Sequence, residues 1–130
     1  MRRVVVLAPA LAAVLAAGAT TLVDAPAGAA GAAKTTVTIK AEGVDLSGTV
    51  SSPKPRRCAK NRTVNLIKQI GTRGGGDDDK IGSDTAELQN GVYVWDTGNT
   101  GIAGKFYAKV KAIPGCKGAT SKTVKAVRNP

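Results

Sequence analysis

The 130-residue sequence predicts an all-β fold, a seven-stranded antiparallel β-sandwich with one disulfide. Three observations carry that prediction. Beyond the first thirty residues no apolar pattern of period 3.6 persists. Short runs rich in Val, Ile, Thr and aromatics recur instead at about 8–12-residue spacing, punctuated by Gly, Pro, Asn and Asp. Only two cysteines are present, Cys58 and Cys116.

The strands follow in order. Thr36-Val37-Thr38-Ile39-Lys40 alternates apolar and polar side chains and forms the first. Val44, Leu46, Gly48 and Val50 share one face of the second, and Val64, Leu66, Lys68 and Ile70 one face of the third. Asn65, Ile67 and Gln69 point the other way. Residues 81–86 form a weak fourth strand, and Val92-Tyr93-Val94-Trp95 a fifth after the Asn90-Gly91 turn. On the sixth, Phe106, Ala108 and Val110 face inward, with Tyr107, Lys109 and Lys111 outward. Residues 123–127 complete the set. Val alternating with Lys means one face packed and one wet.

Residues 1–30 stand apart. Met1-Arg2-Arg3 is a positive start, residues 4–17 are an apolar run, and small residues follow, with Ala27-Gly28-Ala29 and Ala30-Gly31-Ala32. That order is a secretory signal peptide. An uncleaved anchor is the alternative, but a span needs about 20 apolar residues. One domain over residues 31–130 then remains, outside the cell or at its envelope. In an exported chain an even cysteine count reads as a disulfide. A metal pair lacks support, because the chain has no histidine.

Number the strands A to G and let each cross the sandwich. The B–C and F–G connections, which hold Cys58 and Cys116, then fall at the same end. The basic residues Lys54, Arg56, Arg57, Lys60, Arg62 and Lys117 gather there, and the C–D loop with Asp77, Asp78 and Asp79 falls at the other. The chain carries 19 Lys and Arg against 9 Asp and Glu. Setting aside Arg2, Arg3 and Asp24 leaves 17 against 8, a net charge of +9. Such a surface draws anionic partners, or serves solubility alone.

The glycine and aspartate run at residues 71–84 invites a ligand. A P-loop needs Gly-Lys-Ser/Thr before a helix, and here Lys80 precedes Ile81. An EF-hand needs glutamate at its twelfth position, and counting from Asp77 that position is Leu88. A looser calcium site from Asp77, Asp79 and Asp84 is the weaker expectation; a mobile, solvated loop with Lys80 open to trypsin is the stronger. Without histidine no Ser–His or Cys–His system forms, and no cofactor motif is present.

The series Leu46-Ser47-Gly48-Thr49-Val50, Val64-x-Leu66, Asp84-Thr85, Gly91-x-Tyr93-x-Trp95 and Gly104-x-Phe106-Tyr107-x-x-Val110 resembles carboxypeptidase-regulatory-like domains. These are transthyretin-like β-sandwiches of secreted bacterial proteins, and the alanine-rich leader resembles those of actinobacterial exported proteins. The resemblance spans residues 44–113. Asn90-Gly91 departs from the usual Asp-Gly, and the cysteine pair is an addition. Immunoglobulin domains proper fit less well, because the third strand lacks tryptophan and Pro114 stands two before Cys116. The resemblance implies a non-catalytic accessory module. The transthyretin-like hydrolases of urate breakdown use histidine, absent here. The expected role is binding or structural, through a basic rim held by the disulfide and presented to anionic wall or extracellular polymers. The alternative is a small cationic effector acting on membranes or extracellular nucleic acid, for which no amphipathic helix or stacking motif is present.

Overall fold

A computed structural model describes residues 31–128; the signal peptide expected at 1–30 lies outside the described residues. Among the described residues ten strands and one short helix follow one another: β1 (Thr36–Val37), β2 (Lys40–Glu42), β3 (Asp45–Ser51), α1 (Pro55–Cys58), β4 (Thr63–Gln69), β5 (Asp79–Thr85), β6 (Glu87–Gln89), β7 (Val92–Asn99), β8 (Gly104–Val110), β9 (Ala119–Thr120) and β10 (Val124–Ala126). They form two antiparallel sheets. The first runs β1-β3-β7-β6, with β2 also on β3; the second runs β10-β8-β4-β5, with β9 also on β8. Among the described residues no helix is long and apolar enough to cross a membrane.

All seven expected strand regions are present, and the count of ten corrects the expected seven for local reasons. The first expected strand is divided into β1 and β2. Between them the Thr38 carbonyl turns to accept the indole N–H of Trp95, while the Thr38 N–H still donates to Thr49. The far edge of the second sheet is broken in the same way. There Ser121 lies between β9 and β10, and its hydroxyl accepts the Ala108 N–H in place of a carbonyl. The third addition, β6, follows β5 after Ala86 alone. Ala86 is fully buried, receives the Asn61 N–H and donates to Arg62, so the chain changes sheets in one residue.

Both sheets contribute to one core. Leu46, Val50 and Trp95 come from the first, and Val64, Leu66, Phe106, Ala108 and Val110 from the second. Burying each large side chain contributes about 1.5–3 kcal/mol. The inward set on β8 is the one that alternation predicts. Tyr107 differs. It points outward as expected, yet it is buried, because the 70–78 loop folds back over it.

Register sets the outer face of the second sheet. Ser83, Asn65, Lys109 and Thr120 form one row across β5, β4, β8 and β9. Thr85 and Thr63 begin the row nearer the cysteines, and Lys80, Ile67 and Tyr107 form the row nearer the 70–78 loop. One row further, Gln69, Lys105 and Lys125 stand opposite one another.

Candidate anion-binding rim and groove

Cys58 and Cys116 are bonded, with Cα atoms 5.4 Å apart. The bridge joins the end of α1 to the segment after β8. Pro55 suits the first helical position, where its missing N–H costs nothing. The turn ends at Asn61, which takes the left-handed conformation at φ 59° that asparagine tolerates. The segment before β1 is tied to the same rim: Ala33 donates to Gly115 and accepts from Lys117.

Arg62 holds this rim together from inside. The residue is 3% exposed. One terminal nitrogen donates to Thr35 Oγ1 at 3.3 Å and to the Cys58 carbonyl at 2.8 Å, and the other to the carbonyls of Lys111 and Lys117. Burial pushes its pKa down from the ordinary value, but a guanidinium keeps its proton in a protein. Arg62 is thus a strut between four segments. Its place in the anion-binding set is corrected, since both terminal nitrogens are spent on four interior acceptors and the residue is buried.

The remaining rim residues are exposed. Lys54 precedes α1, Arg56 and Arg57 lie on it, Lys60 follows it, and Lys117 follows Cys116. The Arg57 guanidinium lies against Gly115, where an added Cβ would meet Nη2 at 2.8 Å. Arg56 and Lys60 wall a recess of about 440 Å³ beside Glu87, Leu88 and Tyr93. Among the described residues the one ion pair is Lys40–Glu42, so every rim cation lacks a carboxylate within 4.0 Å.

A groove of about 350 Å³ opens from the rim onto the outer face of the second sheet. Lys60, Lys80 and Lys111 line it together with Thr63, Asn65 and Ile113. The Asn65 side-chain oxygen is buried there with no hydrogen-bond partner. Sequence reasoning missed Lys80 and Lys111 as members. The outward direction of Lys111 was legible in the alternation of β8. Lys80 was hidden because β5 starts at Asp79, two residues earlier than its apolar pattern indicates.

The calcium expectation is corrected. Asp79 and Asp84 stand at opposite ends of β5, about 17 Å apart at strand rise. Asp84 accepts the Asp96 N–H at 2.7 Å. Among the described residues no three acidic or cysteine side chains converge as metal ligands. The loop is also less free than its composition implies. Asp78 accepts from Tyr107 Oη at 2.6 Å, from Gly74 N–H at 2.8 Å and from Ile70 N–H at 3.1 Å. Arg73 lies 5.4 Å from the Tyr107 ring centroid and donates to the Ser121 carbonyl. The loop follows the end of β4 and Cys58 precedes its start, so basic rim and acidic loop are separated by that strand's length. No family model matches the chain, and no curated protein matches it in sequence.

Proposed function

We propose that the protein is a secreted, non-catalytic β-sandwich module that acts at the cell envelope or outside the cell by binding an anionic polymer through its basic rim. The observation that carries this reading is that, among the described residues, no rim cation forms a salt bridge, although Glu87 lines the recess beside Arg56 and Lys60. Lys54, Arg56, Arg57, Lys60 and Lys117 are held on a disulfide-pinned frame, exposed and, among the described residues, with no carboxylate within 4.0 Å. A pinned frame lowers the ordering cost of binding. The sheet orders support an Ig-like architecture: in immunoglobulin lettering β1-β3-β7-β6 follows A-B-E-D and β10-β8-β4 follows G-F-C, with β5 as an added edge. The resemblance to carboxypeptidase-regulatory-like domains fits an accessory role.

The test is retention on isolated anionic wall and extracellular material. Retention that salt reverses supports the reading, because exposed charges are screened at about 10 Å in 0.1 M salt. Failure to bind at low salt sinks it. The cationic-effector alternative predicts leakage from anionic vesicles instead.

A further inference from the structure

The outer face of the second sheet carries a specific arrangement between the cysteine rim and the 70–78 loop. Lys60, Lys80, Lys109 and Lys111 are exposed around it. Its central row, Ser83-Asn65-Lys109-Thr120, and the Thr85-Thr63 row beside it contain no acidic residue. Four strands spaced about 4.8 Å apart make this floor about 14 Å wide. Towards the loop the floor stops. Tyr107 is covered by Asp78 and Arg73, and Asp77 and Asp79 flank Asp78 in the chain.

Resting on the reading that this protein binds an anionic polymer, we propose that this face binds an acidic glycan laid across the strands. The acidic loop bars the path along the strands, so the ligand crosses from the Lys60–Lys80 side to Lys109 and Lys111. Lysine ammonium groups take the repeated anions as point charges. Asn65 adds a second requirement. Its oxygen lies buried under the groove floor without a partner, and a turn of the amide towards the groove would let it accept from a sugar hydroxyl next to a carboxylate. A nucleic acid fits less well, because Tyr107 is the only aromatic side chain in these rows and it is covered, leaving bases no stacking surface.

The experiment measures binding of oligogalacturonate and of inorganic polyphosphate to the purified protein across salt concentration. Variants are Lys109→Gln/Lys111→Gln and a charge-matched control, Lys105→Gln/Lys125→Gln, which lies beyond the loop. Each phosphate contact in a single strand contributes a log–log salt slope of about −0.7, so four lysine contacts give roughly −3 for the glycan on the same scale. The first variant is expected to lose about tenfold in affinity and to flatten the slope by roughly 1.4. The control keeps both. Equal losses in the two variants overturn the proposed face and leave the anion-binding reading standing. Polyphosphate binding as tight as the glycan's overturns the hydroxyl requirement. No binding of either polymer by the wild type removes the underlying reading itself.

Discussion

The indole N–H of Trp95 donates to the carbonyl oxygen of Thr38 at 3.0 Å, directly above Gly48. Gly48 is the register partner of Trp95 on β3. A Cβ at Gly48 would lie 1.9 Å from that oxygen and 2.7 Å from the indole nitrogen. Gly48→Ala is therefore expected to destabilise the fold by about 3 kcal/mol or more, as overpacking against backbone does. Urea unfolding checks this; an unchanged midpoint would mean that the edge strand does not sit over Gly48.

Arg62 and its neighbours on the rim should separate cleanly. Arg62→Met removes the donors to the Cys58, Lys111 and Lys117 carbonyls and is expected to cost about 2–4 kcal/mol. Arg56→Gln, on the exposed surface of α1, should stay within about 0.5 kcal/mol. Equal effects in thermal unfolding would contradict the strut.

Reduction should convert a protein with no reactive thiol into one with two. Cys58 and Cys116 are 58 residues apart in sequence, and loss of such a bridge costs about 2–5 kcal/mol. Thiol titration before and after reduction, followed by a melt, reads both quantities. A free thiol in the untreated protein counts against the bridge.

The Tyr107–Asp78 contact makes the loop pH-sensitive in two directions. The Tyr107 hydroxyl, then the Gly74 N–H, hold the Asp78 carboxyl below its ordinary range, against a smaller opposing effect of burial. This contribution is present above the unfolded carboxyl pKa and is lost as acid protonates Asp78. The same bond, then burial, pushes Tyr107 above its ordinary value of 10.0. Its contribution is complete below that value and is lost as alkali ionises the folded tyrosine. The latch is therefore at full strength from weakly acidic to weakly alkaline pH. Limited trypsin digestion at Arg73 reports it: Tyr107→Phe should be cut several-fold faster there than wild type, and equal rates would show that no latch exists. Lys80, inside β5, should resist cutting in both.

Asn65 offers a trade between stability and binding. Asn65→Thr removes a buried unpartnered oxygen from a central strand and suits the pleated surface, so stability should rise by about 0.5–1 kcal/mol. Affinity for acidic glycans should fall in the same variant. A rise in both would assign Asn65 no part in binding.

The alternation of Val, Leu and Phe with smaller or polar residues made β3, β4 and β8 legible, because period-2 patterning is a direct consequence of one packed face. The end at which Cys58 and Cys116 meet followed from counting strands. Divisions at Thr38 and Ser121 were not legible, since each depends on a distant partner, Trp95 in one case and Ala108 in the other. Arg62 looked like its basic neighbours because sequence position does not reveal burial. Lys80 and Asn65 joined the groove only through β4–β5 register, which a bulge near Ile67 shifts.

The central claim is that the uncompensated basic surface exists to hold an anionic polymer. Binding isotherms of the purified protein for an acidic glycan, taken at about 50 and 200 mM salt, test it most directly. The account predicts measurable affinity at the lower concentration and a loss of at least tenfold at the higher. Absence of binding at low salt, or affinity that salt leaves unchanged, would contradict it.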